Sequence, residues 1–168
     1  VINRSVFVPG EILKEEAIDF ATKHKVAIPV RTHDFFRMVN KFPIGAFEFH
    51  LSYGEVLSNL DADQFGADNL YSIHLPDYIN PTQLMDPFSL DKQQASESFN
   101  ILQRTVDFAD ALQQRTGKNV PVVGSFSVVH QDISQFYEQH AAMLANFREK
   151  GVSILPQWLP LIAWYFGG

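Results

Sequence analysis

Glu48 and His50 stand two residues apart in AFEFHL, residues 46–51. Side chains two apart on a strand share a face, so this spacing would set a carboxylate beside an imidazole. That pairing suits general acid–base work or metal ligation. The competing reading is a Glu–His hydrogen bond that holds strands in register, because both groups are costly to bury alone. His74 and Asp77 in NLYSIHLPDYINP, residues 69–81, offer the same two groups at the end of a second apolar run. His-x-x-Asp is a weak motif and gains its value from position.

Further polar residues follow other apolar runs. Arg31, His33 and Asp34 lie in VRTHDFF, where the arginine suits a carboxylate or phosphate and equally a solvated cation beside a helix cap. Asn80 precedes Pro81 and is either a turn former or a ligand contact. Gln157 follows Pro156 at the end of a third run, 152–159. Trp158, Trp164, Tyr165 and Phe166 suit stacking on a sugar ring, or a core or interface. His130 and Asp132 read as a loop histidine and a helix cap, and His24 and His140 as helix residues. Ser125 lacks the spacing of a nucleophile elbow, and small residues at Gly124-Ser125 would let a ligand approach.

The elements that must position these groups alternate. Short strands are expected at 5–8, 26–30, 46–51, 70–75, 120–126 and 152–155, the first two weaker than the rest. Helices are expected at 11–24, with Leu13, Ala17, Phe20 and Ala21 on one face, and at 33–40, capped by Thr32. A weak one follows at 54–60, before a polar loop at 61–68. The clearest spans 92–115, where Asp91 and Gln94 resemble a capping box, Ala95, Phe99, Leu102, Val106, Ala109 and Leu112 form a stripe, and Gly117 ends it. Another runs from 133 to 150 behind Asp132. Such alternation implies βαβ units and a parallel sheet. In those folds chemistry sits at the carboxyl ends of the strands. A closed barrel needs about 250 residues, so the expected fold is α/β, a partial (β/α) TIM-barrel-like parallel sheet with flanking helices and a fragment of a full barrel.

The length of 168 residues fits one domain, with 1–45 open to being the end of a preceding module. Hydrophobic residues make up 46% and charged ones 19%, which is globular composition, and 15 phenylalanines predict an aromatic-rich core or binding surface. A net charge of −6 without a basic run argues against nucleic acid. The absence of cysteine excludes thiolate chemistry and fits a cytoplasmic protein. No apolar run approaches the roughly 18 residues of a membrane span, and no secretory signal is visible. The missing initiator Met and the apolar end WLPLIAWYFGG read as a piece of a longer polypeptide.

Taken in order, EFHLS (48–52), IHLPDYIN (73–80), the long helix before VPVVGSF and LPQWLPLIAWYFGG resemble a xylose isomerase-like TIM-barrel domain. That superfamily includes sugar-phosphate isomerases/epimerases and apurinic-site endonucleases. IPVRTHDF followed by FEFHLSYGEV is similar to a barrel module attached to some sialic acid (N-acetylneuraminate) synthase-like proteins. The resemblance covers roughly residues 28–168 and rests on motif order. It implies a divalent metal (Mn, Co, Zn or Mg) in the barrel mouth, polarising a sugar hydroxyl or carbonyl. His74 matches the family's H-x-P-Y-type histidine, and Glu48 and His50 fall at pocket positions. Gln157 stands where the family often has a glutamate, and VVGSFS lacks the histidine that relatives often carry. A neutral amide is the poorer ligand for a hard cation, so both departures weaken the metal site.

The leading expectation is therefore a sugar isomerase/epimerase-like domain in sialic acid, nonulosonic-acid or surface-polysaccharide synthesis. In it Glu48, His74 and Gln157 would hold the metal, and His50 or Asp77 would move the proton. Arg31, His33, Asn80 and Trp158 would contact a sugar or sugar phosphate. The second expectation is a catalytically degenerate sugar-binding or assembly module of a larger synthase, which Gln157 favours. A DNA-repair endonuclease is disfavoured by acidity and missing ligands. Open sheet edges predict a homo-oligomer or a part of a larger multidomain chain.

Overall fold

The computed structural model describes residues 14–24, 26–58, 60–125 and 151–157, with 134, 138, 141, 142 and 145–147 between them. The expected strand at 5–8 and Asp132 with its cap lie outside the described residues.

Helix α1, Lys14–His24, ends in basic residues that complement the helix dipole. Phe20, expected on its buried face, is exposed and lies against His24, 4.3 Å between ring centroids. Strand β1, Ile28–Val30, contains Pro29, which lacks an N–H and is tolerated at a sheet edge. Helix α2, Phe35–Lys41, is preceded by Asp34 at the cap position, not Thr32 as expected. Thr32 is drawn away because its N–H and hydroxyl both donate to Glu55. Strand β2, Ala46–His50, leads into α3, Tyr53–Leu57. This helix starts earlier than expected because Ser52 and Glu55 form a reciprocal capping box. The loop expected at 61–68 holds one 3-10 turn, Ala62–Gln64, before β3, Leu70–His74.

Helix α4, Lys92–Thr116, is capped by the Asp91 carboxylate, which accepts from the N–H groups of Gln93 and Gln94. The expected capping box is not reciprocal: the Gln94 side chain instead accepts from Ser89 Oγ and donates to the Leu84 carbonyl. Gly117, at φ 66°, ends the helix in the left-handed conformation expected of it. The buried stripe includes Ser98, Ile101, Leu102, Val106 and Ala109, while Phe99 stands on its shoulder, exposed. Ser98 takes the deep position because its hydroxyl accepts from the Asp86 N–H, tying the helix to the long β3–α4 connection. Strand β4 is Val122–Gly124 and β5 is Ile154–Pro156. The described residues of the helix expected at 133–150 are helical.

All five strands are parallel and follow chain order, β1-β2-β3-β4-β5. A doubly wound sheet reverses its order and carries helices on both faces. Here the order never reverses, and crossovers of the usual right hand would bring successive helices to one face. The aromatic packing agrees. Phe35 of α2 lies 5.2 Å from Phe47, 5.5 Å from Phe49 and 6.0 Å from Tyr71. Phe108 of α4 meets Phe49 edge-on at 5.8 Å. Many of the phenylalanines are thus core, each burial being worth about 1.5–3 kcal/mol.

The small residue at position 124 makes room for a neighbour, not for a ligand. A Cβ on Gly124 would lie 2.6 Å from Leu75 Cβ. At the amino ends of the strands, Arg115 donates to the Phe65 carbonyl and to Asp63. Lys118 Nζ donates to three successive carbonyls, of Ala67, Asp68 and Asn69. Among the described residues no helix is long and apolar enough to cross a membrane.

Candidate functional site

The residues facing away from the helices carry the polar chemistry. Register sets Glu48 beside Ser72 and His50 beside His74, which in turn neighbours Val123. Phe47, Phe49, Tyr71 and Ile73, the alternate positions, are buried among the helices. Gln157 joins from β5 because its N–H donates to the Gly124 carbonyl at 2.8 Å, extending the ladder past the strand.

These side chains form a line across the carboxyl half of the sheet. Ser72 Oγ donates to Glu48 Oε2 at 3.2 Å, and Glu48 Oε1 lies 2.6 Å from His50 Nε2. The His50 and His74 rings stack, 4.7 Å between centroids and 10° between planes. His74 Nδ1 lies 2.8 Å from the Leu75 carbonyl oxygen, and its Nε2 is 2.9 Å from Gln157 Oε1. The side chains of His50 and Glu48 retain 41% and 30% exposure, enough for a dissolved molecule to reach them. The structure thus brings together Glu48, His50, His74 and Gln157. It adds Ser72, which sequence reasoning missed, although AFEFH and LYSIH share the alternation that places a polar residue two before each histidine. Ser125, just past β4, has a buried hydroxyl with no hydrogen-bond partner among the described residues.

The remaining candidates stand apart from this line. The Asp77 side chain is exposed, and among the described residues no hydrogen bond joins it to Glu48, His50 or His74; its carbonyl accepts from Met85 N–H. The Asn80 amide serves its own loop: Oδ1 accepts from the N–H groups of Thr82 and Gln83, and Nδ2 donates to Gln83 Oε1. His33 is exposed in the β1–α2 turn. Trp158 and His130 lie outside the described residues.

Arg31 belongs to a second cluster, where the loops after β1 and β2 meet. Its guanidinium lies 3.4 Å from Glu55 Oε2, at the edge of hydrogen-bond reach. Glu55 also accepts from the N–H and hydroxyl of Thr32 and of Ser52. Burial pushes this carboxyl up, but the hydrogen bonds from Thr32 and Ser52 outweigh it and hold the pKa at about 2. A carboxylate with so many donors is a latch between two loops. The S-x-x-E spacing of Ser52 and Glu55 marks one half of it, but no motif announced Thr32, which is far from Glu55 in sequence.

The donor set does not fit the divalent metal that the resemblance implies. His50 Nε2 is turned onto Glu48, and His74 Nε2 onto an amide. Among the described residues no group of three or more His, Asp or Glu side chains is placed to hold an ion. The chemistry these residues offer unaided is an imidazole backed by a carboxylate, which is a general base.

No protein-family model matches the chain, no curated protein matches it, and no solved structure matches its fold. The likeness to xylose isomerase-like domains therefore rests on the residues quoted for it.

Proposed function

We propose that the chain is a sugar-handling (β/α)-barrel-type domain whose sheet face opposite α2 and α4 binds a sugar or sugar phosphate, and that His50, backed by Glu48, moves a proton between adjacent carbons. The observation that carries this reading is the polar line from Ser72 to Gln157 at the carboxyl ends of an unreversed parallel sheet. A barrel wall has the same strand order, and closing it would turn this face inward at the end where barrel chemistry is placed. Hydroxyl-rich ligands suit a face lined by a carboxylate, imidazoles, a serine and an amide. Arg31 and His33, at the end of β1, would face a phosphate or carboxylate on the sugar. The setting is sialic acid, nonulosonic-acid or other surface-polysaccharide synthesis, as the resemblance implies. Exposed Leu70 and Leu155 on this face favour a homo-oligomer or a place in a larger chain.

A second reading is a sugar-binding or assembly module without turnover. It is favoured by Gln157, an amide on His74 where the family often has a carboxylate.

Deuterium wash-in separates the two. The protein is incubated in D2O with pentoses, N-acetylhexosamines and hexose phosphates, and carbon-bound hydrogen is followed by proton NMR. Wash-in that falls at least about a hundredfold in His50→Gln supports proton transfer. Saturation transfer to a sugar without wash-in supports the module, and neither signal sinks both.

A further inference from the structure

We propose that the two stacked imidazoles are held in opposite tautomers, so that His50 Nδ1 is the site's proton-transfer atom and His74 is a fixed neutral ring positioned by Gln157.

The assignment follows from what each neighbour can do. Glu48 Oε1 accepts, so His50 Nε2, 2.6 Å away, carries the hydrogen and Nδ1 keeps its lone pair. Nδ1 has no hydrogen-bond partner among the described residues, and the side chain is 41% exposed. Ser72 fixes the other carboxylate oxygen, so Glu48 cannot turn away without losing that bond. His74 is the mirror case. The Leu75 carbonyl accepts only, so the hydrogen is on Nδ1, and Nε2 of the neutral ring is an acceptor. Gln157 can meet either need, because a half-turn of its amide exchanges oxygen for NH2. Beside an Nε2 lone pair it presents the NH2, which the half-turn brings to the place of Oε1, 2.9 Å from Nε2. A carboxylate at that position could not donate and would force a hydrogen onto Nε2. Gln157 is therefore the residue that lets His74 keep its Nε2 lone pair, which reverses the view of it as a weakened metal ligand.

The division of labour deepens the proton-transfer reading and rests on it for its functional meaning. In an aldose–ketose isomerisation, His50 Nδ1 takes the proton of the hydroxyl-bearing carbon beside the carbonyl and the C–H electron pair moves into an enediolate. The imidazolium keeps its Nε2–H on Glu48. The imidazolium then gives that proton, or a deuteron exchanged from solvent, to the adjacent carbon on the same face while the hydroxyl hydrogen passes between the two oxygens, so nothing is consumed. His74, stacked against the ring, holds its orientation and takes no proton.

The test is long-range proton–nitrogen NMR on the full chain labelled with 15N-histidine, at about pH 8, above the ordinary imidazole range. The six histidines are distinguished by the loss of one ring in His50→Gln and in His74→Gln. The expected pattern is a protonated Nε2 and bare Nδ1 for His50, and the reverse for His74. In Gln157→Glu the His74 Nε2 signal should move into the protonated range while His50 stays as it was. Gln157 is exposed, so this variant should fold. A hydrogen on His74 Nε2 in the parent, a hydrogen on His50 Nδ1, or a His74 signal indifferent to Gln157→Glu would each overturn the assignment. Because the spectrum needs no substrate, the ring pattern can hold while deuterium wash-in fails, which would sink the proton-transfer reading alone.

Discussion

Two faces of one sheet are built from interleaved residues of the same two strands. Toward the helices β2 and β3 present Phe47, Phe49, Tyr71 and Ile73, all buried. Away from them they present Glu48, His50, Ser72 and His74, all partly exposed. Rings are stacked on both faces. Phe49 and Tyr71 lie 5.6 Å apart at 21°, and His50 and His74 lie 4.7 Å apart at 10°. The first pair is buried and its one hydroxyl, on Tyr71, is bonded to Gly66 and Asn69, whereas the imidazoles of the second stay partly exposed. A period of two residues thus separates what holds the fold from what can do chemistry. The polar groups avoid the penalty of full burial because water still reaches them.

Substitutions test how clean that separation is. Phe49→Ala should cost about 3–5 kcal/mol in urea unfolding, because it opens a cavity among packed rings. A loss below about 1 kcal/mol would mean that the aromatic layer is not the core. Gly124→Ala should cost about 1–3 kcal/mol in the same experiment, since its methyl would press on Leu75. Glu55→Gln should cost about 1–2 kcal/mol, discounted for partial solvent exposure. The sign of its pH dependence is fixed by a carboxyl lowered from 4.5 to about 2 on folding. Its contribution is complete above pH 4.5 and fades as pH falls toward 2, so the stability of parent and Glu55→Gln should converge across that window. His50→Gln, on the open face, should change stability by no more than about 0.5 kcal/mol while removing any proton transfer. A large loss from that variant would make the imidazole a structural strut and erase the contrast between faces.

Much of this contrast was legible from spacing. The alternation in AFEFH and LYSIH marks both faces, and the alternating strands and helices imply the parallel sheet that is found. The altered details have local causes. Thr32 reads as a cap until Glu55, distant in sequence, takes both of its donors. Phe99 satisfies the helical period, yet Ser98 is the buried neighbour because it binds Asp86. Gln157 could be marked as part of the site from its place after a strand, but its partner could not. That needed β5 beside β4, a pairing between segments about thirty residues apart.

The opposite end of the sheet has its own lesson in Lys118, whose ammonium sits among the carbonyls of Ala67, Asp68 and Asn69. Three successive backbone oxygens turned toward one positive charge are what a loop offers to a captured alkali ion. Here the ion is covalently leashed to the chain, so it cannot be diluted away, chelated or exchanged for a competitor. The turn ahead of β3 is thereby held without drawing an ion from the surrounding solution.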